Sequence, residues 1–210
     1  MAKAIPTDTL INQLERLTIR LSEIVERDFP PLADEQLNWK ELNEHWSIAE
    51  CLLHLNLISD FYFPKILKVF EKTNTSNSKP SSTYLHGWLG NRISKGVRLS
   101  RNNRTKKLSE SPVKFNPKIQ DIAPINAQEV IKNFLKNQDD LLQFIIQSKK
   151  VNIQKICVPI GFLGLFRIQL GDMLKIIVYH TERHIVQAQR LLYNDNFPDI
   201  QLLETLTETN

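Results

Sequence analysis

His180 and His184 stand four residues apart, so on a helix their imidazoles leave one face about one turn apart and can converge on a single ion. His54, far away in the chain, shares a helical face with Cys51, Ile58 and Phe61 and should point inward from a different helix. Three nitrogen ligands leave a coordination position open. That is the arrangement of catalytic sites, whereas structural zinc has four protein ligands. An ion on three neutral imidazoles could acidify a bound water or a thiol, and its affinity should fall as pH drops through the histidine range near 6.5. Two further residues are weighed as partners of the ligands, Glu50 and Gln187. Glu50 could accept from His54 one turn away but also fits a helix cap, and Gln187 is either an amide behind the ligands or a satisfied polar residue.

An i, i+4 pair among five histidines can arise by chance. Its placement argues against chance, because two imidazoles and an amide in mid-stripe are costly to bury unless each finds a partner. The run His180-Thr-Glu-Arg-His184 is not a metalloprotease HExxH, since Glu182 lies two positions after the first histidine and turns off the ligand face. No serine or cysteine has a companion base in the sequence pattern. Cys51 and Cys157 read as core thiols and Ser47 as a cap.

The elements that must carry these residues are helices. Leu10, Leu14, Leu17, Leu21 and Ile24 alternate four and three spacing and predict a first helix from about Asp8 to Arg27, ended by Pro30 and Pro31. Trp46-Ser47-Ile48-Ala49-Glu50 carries a capping box, Ser47 with Glu50, and Trp46 with Cys51 fits a hydrophobic staple. A second helix therefore starts there and runs toward Lys72, with a kink expected near Pro64. Asn126 and Glu129 repeat the cap signature before Val130, Phe134, Leu141 and Ile145, the inward face of a third helix ending near Ser148. A loop with Pro159, Gly161 and Gly164 is expected next. Leu170, Met173, Ile177, His180, His184, Gln187 and Leu191 then mark the buried stripe of a fourth helix. Between the second and third helices, residues 73–127 read as a long irregular insertion. A short helix is suggested there by Leu85, Leu89, Ile93 and Val97, against Gly87, Gly90 and Gly96.

The chain has 210 residues, 41% of them apolar and 24% charged, with only six glycines, which suits one helical domain better than a turn-dense β design. Two distant cysteines do not make a disulfide framework, and no apolar run reaches membrane-spanning length. A cytoplasmic protein is the expectation.

Taken together, Trp46-Ser47-x-x-Glu50-x-x-x-His54-Leu55 and His180-x-x-x-His184-x-x-Gln187 resemble the DinB-like superfamily of damage-inducible bundle proteins (DinB/YfiT type). The resemblance implies an all-α, four-helix bundle of up-down-down-up type and a homodimer. It also implies a divalent ion on His54, His180 and His184, nickel or zinc first, with iron or manganese as further candidates. The activities it implies, on a small-molecule substrate, are metal-dependent hydrolysis or transfer of a low-molecular-weight thiol. The long insertion is a departure from that pattern.

Two other readings stand beside it. A stress protein could bind metal or ligand without turnover. Arg92, Lys95, Arg98, Arg101 and Arg104 recur every third residue and continue into Lys106 and Lys107, a cationic strip within a net charge of +4. Trp88 and Tyr84 nearby could stack on bases, but no nucleic-acid motif accompanies the strip, and a solvated face is the better expectation.

Overall fold

The computed structural model describes residues 4–74, 79–99, 112–119, 125–161 and 164–199. Four long helices carry the architecture: α1 (Thr7–Asp28), α3 (Ile48–Asn74), α5 (Ala127–Ser148) and α6 (Leu170–Leu191). A one-turn α2 (Asp34–Asn38) lies in the first connection and α4 (Trp88–Val97) in the second. α1 and α3 each pack against both α5 and α6, so the four helices form a square with α1 and α3 on one diagonal.

Their directions follow from which ends share an apolar cluster. One cluster joins the start of α1 (Leu10, Leu14), the end of α3 (Phe63, Phe70), the end of α5 (Leu141, Ile145) and the start of α6 (Met173, Leu174). The other joins the end of α1 (Leu21, Val25), the start of α3 (Ile48, Leu52), the start of α5 (Val130, Phe134) and the end of α6 (Ile185, Leu191). α1 and α6 therefore run one way and α3 and α5 the other, an up-down-down-up bundle.

Where the two clusters meet, each helix buries a polar side chain: Thr18 on α1, Asn56 on α3, Gln138 on α5 and Thr181 on α6. Asn56 is held in place, its amide donating to the Val130 carbonyl at 3.0 Å and its Oδ1 accepting from Asn137 at 3.0 Å. Polar atoms in the middle of a core need such partners, and the belt residues Asn56 and Thr181 neighbour His54 and His180 along α3 and α6.

The expected caps are present. Ser47 Oγ accepts from Glu50 N at 3.1 Å while Glu50 Oε2 accepts from Ser47 N at 2.9 Å, and Asn126 Oδ1 accepts from Glu129 N at 3.0 Å. α3 is one continuous helix through Pro64. In α1 the buried stripe is Leu10, Ile11, Leu14, Thr18, Leu21 and Val25, so Leu17 and Ile24 lie at its edge.

Part of the insertion is ordered structure laid on the bundle. Thr83–Tyr84 (β2) pairs antiparallel with Ile5–Pro6 (β1), and α4 packs along α6. Gly90 enables that approach, since a Cβ there would come within 2.4 Å of the Asp172 side chain. A glycine that lowers helix propensity is thus the contact residue of the helix. Asp172, fully buried, accepts from Gly87 N at 2.8 Å and lies 2.6 Å from His86 Nδ1, tying the start of α4 to α6.

The expected loop between the third and fourth long helices is instead a hairpin, β3 (Cys157–Ile160) with β4 (Phe166–Gln169), turned by Gly161 and Gly164 at φ +72 and +62. Both cysteines are free thiols. Cys51 is core, but Cys157 sits half-buried on β3 rather than in the interior. Among the described residues no helix is long and apolar enough to cross a membrane.

Candidate metal centre

The start of α3 lies against the second half of α6, which brings His54 to His180 and His184. Their Nε2 atoms converge: 3.5 Å from His54 to His180 and 3.1 Å from His184 to His180, with the potential ligand atoms of all three within 4.8 Å of one another. His54 and His184 are almost fully buried, at 4% and 5% exposure, while His180 is partly open, toward a cavity.

The outward nitrogens of His54 and His184 are occupied. His54 Nδ1 is 2.6 Å from the Phe115 carbonyl, which can only accept, so this nitrogen carries the proton and Nε2 presents its lone pair inward. His184 Nδ1 lies 3.1 Å from Gln187 Oε1, which fixes the same tautomer. Two Nε2 lone pairs therefore face His180 Nε2, and one imidazole N–H can satisfy at most one of them.

A cation satisfies all three. Two nitrogens bound at about 2.0–2.1 Å at a tetrahedral angle stand roughly 3.3–3.4 Å apart, and the separations here bracket that value. The donor set, its spacing and the fixed tautomers of His54 and His184 fit a divalent ion. The outer hydrogen bonds to Phe115 and Gln187 are the kind that orient metal-binding histidines.

Burial also keeps these rings neutral. Desolvation lowers His54 to about 4 against the bond to Phe115. It lowers His180 to about 3, with the neighbouring His54 and the Arg183 guanidinium acting in the same direction. His184 is likewise held well below its ordinary value by burial, then by His180, His54 and Arg183. Burial thus disfavours the protonated form of each ring in the folded protein.

Trp46 closes one side. Its ring centroid is 4.8 Å from that of His54 and 5.5 Å from that of His184, nearly parallel to the latter. Trp46 and Cys51 do share an apolar cluster, but the staple position also lays an indole over two candidate ligands. A bulky aromatic directly before a cap, about two helical turns ahead of the histidine, was the available signal.

The remaining candidates are placed as follows. Gln187 backs His184. Glu50 has both carboxylate oxygens engaged elsewhere, one in the cap with Ser47 N and one with Lys40 Nζ at 2.6 Å. It is a cap residue, in accord with the simpler reading. Glu182 is off the ligand face, where Arg98 and Arg20 act on it electrostatically. Of the cationic strip, Arg92 and Lys95 are exposed on α4 and Arg98 lies over the Tyr179 ring at 5.3 Å. Arg101, Arg104, Lys106 and Lys107 lie outside the described residues.

A cavity of about 230 Å³ opens beside His180, walled by α3, α4, the Phe115 turn, the hairpin and α6. Phe115 thus offers its carbonyl to His54 and also lines the cavity.

Compared with known families, residues 13–188 match the model of the DinB superfamily. The chain belongs to the DinB superfamily. The match runs from α1 through the last ligand candidate on α6, and so spans the helices that form the site. No curated protein and no solved structure matches the chain. For this DinB-superfamily member, function must therefore be argued from its own geometry.

Proposed function

We propose that this protein is a divalent-metal enzyme, with His54, His180 and His184 as the ligands, that hydrolyses a small organic substrate entering from the His180 side. The observation that supports this most is the convergence of three Nε2 atoms, with the opposite nitrogens of His54 and His184 tied to Phe115 and Gln187. An ion bound there would supply Lewis acidity and lower the pKa of a water at neutral pH.

The chain's own residues do the rest. Burial disfavours protonation of the three rings, Phe115 and Gln187 orient His54 and His184, and Trp46 shields one flank from solvent. Near the cluster the described residues offer no nucleophile with a base. Cys51 is fully buried with its thiol pushed far up by desolvation, Ser47 is in the cap, and Thr181 donates to the Ile177 carbonyl. Hydrolysis is favoured over transfer of a peptide-like thiol because, among the described residues, the cavity beside His180 has no cationic residue in its wall to hold the carboxylates of such a thiol.

The test is metal content of protein purified without an affinity tag, alongside activity on ester and amide panels and on thiol–electrophile pairs. Wild type should bind about one ion per chain. The addition should alter Trp46 emission, an effect absent in Trp46→Phe, and His54→Ala/His184→Ala should lose the ion. Equal metal in wild type and the double variant would refute the site. Thiol-dependent activity alone would replace hydrolysis with transfer, and a full site silent in every assay would favour a non-catalytic binder.

A further inference from the structure

The cavity beside His180 says what kind of molecule the site admits. Ile58 and Tyr62 come from α3, Ile93 and Val97 from α4, Phe115 from the insertion, and Ile168, Ile176 and Ile177 from the hairpin and α6. Among the described lining residues His180 is the one with an ionisable nitrogen. The Tyr62 oxygen accepts from the Gly161 backbone, so the rest of the described wall offers little that is polar. A charged or strongly hydrated group placed there would lose its water without replacement, whereas hydrocarbon would gain.

We infer that this cavity receives the apolar body of the substrate, with the polar head directed to the imidazole cluster; the assignment of the head rests on the metal reading above. The substrate class is a compact arene or a medium-length aliphatic bearing one polar, hydrolysable head. A cavity of about 150 Å³ accommodates a benzene ring, so 230 Å³ holds about eight to ten non-hydrogen atoms. Two walls, α4 and the Phe115 turn, come from the segment between the second and third long helices. Chain-length selectivity is therefore set by the insertion, while the bundle supplies the histidines.

The experiment is calorimetry of the full chain, zinc-loaded, with straight-chain hydroxamates of increasing length, whose head chelates zinc and whose tail is hydrocarbon. Affinity should rise about threefold to fourfold per added methylene and level off at about the length that fills the cavity. A terminal carboxylate on the tail should abolish that gain. Val97→Phe and Ile93→Phe, which narrow the wall, should weaken the longer members at least tenfold while leaving the shortest member and zinc content unchanged. A flat series in wild type, or a length dependence kept in full by both variants, overturns the proposal. Unbranched alcohols, which lack a chelating head, are run in parallel on metal-free protein. If they show the length dependence while no preparation binds zinc, the cavity stands and the metal reading falls; if zinc binds and neither series depends on length, the cavity assignment falls alone.

Discussion

The metal-free protein should lose stability on mild acidification, and the structure gives the size and direction. A histidine in the unfolded chain takes up its proton near 6.5, but in the folded protein burial delays this to about 4 for His54 and about 3 for His180, with His184 shifted the same way. Between those values the unfolded state holds more protons, so stability is fully present above 6.5 and falls as pH falls. For His54 the interval of about 2.5 pH units amounts to about 3 kcal/mol by pH 4. His54 alone gives a slope that approaches about 1.4 kcal/mol per unit between pH 6.5 and 5, and His180 and His184 act in the same direction, a large effect beside the roughly 5–15 kcal/mol that holds a domain folded. Asp60 and Glu182 are shifted upward by burial and act in the opposite sense, but mainly lower, as the carboxylates titrate. Urea unfolding of chelator-treated protein, followed by circular dichroism at steps from pH 7.5 to 5, measures the slope. Metal-loaded protein should be flatter, since a ligated imidazole takes up no proton until the ion leaves. A slope under about 1 kcal/mol per unit in the metal-free protein would refute the reasoning, as would an unchanged slope in His54→Gln/His184→Gln.

Three further outcomes follow from individual contacts. Gln187→Leu removes the acceptor that orients His184 and should weaken metal affinity about 10-fold to 100-fold with the helix content unchanged, checked by competition with a chelating dye. Gly90→Ala forces a methyl to within 2.4 Å of Asp172 and should cost about 1–3 kcal/mol, visible as a fall of several degrees in Tm; no change would mean that α4 does not depend on this contact. Replacing Cys51 and Cys157 together by alanine should leave any hydrolytic activity largely intact, because neither thiol belongs to the imidazole cluster; loss of turnover with metal and fold retained would refute the mechanism.

The parts of the fold legible in the sequence are those where local chemistry and burial agree. Ser47 with Glu50 and Asn126 with Glu129 mark helix starts because the side chains that satisfy the first amides are nearby in sequence. Long apolar stripes gave the four main helices because each must bury one face. The missed elements lack such signals. α2 is too short for periodicity and is held by Gln36, whose Oε1 accepts from Ala33 N and whose amide donates to the Pro198 carbonyl across the chain. The hairpin strands are four residues each, one containing Pro159, so they read as loop until partners are known.

The site divides in the same way. His54, His180 and His184 were visible as side chains, but the group that sets the His54 tautomer is the backbone carbonyl of Phe115, and a carbonyl leaves no mark on residue type. Once both are seen, the segment from Trp46 to His54 works as one device. The cap fixes where α3 begins, and that start places His54 two turns in, facing α6. The residue just before the cap then lies over the two rings that the helix start has positioned. Moving the cap by one residue would rotate His54 by about 100° around the helix and separate it from both Trp46 and His180. The capping residues thus bear on the chemistry without touching it, by setting the rotational register of the helix that brings the third imidazole.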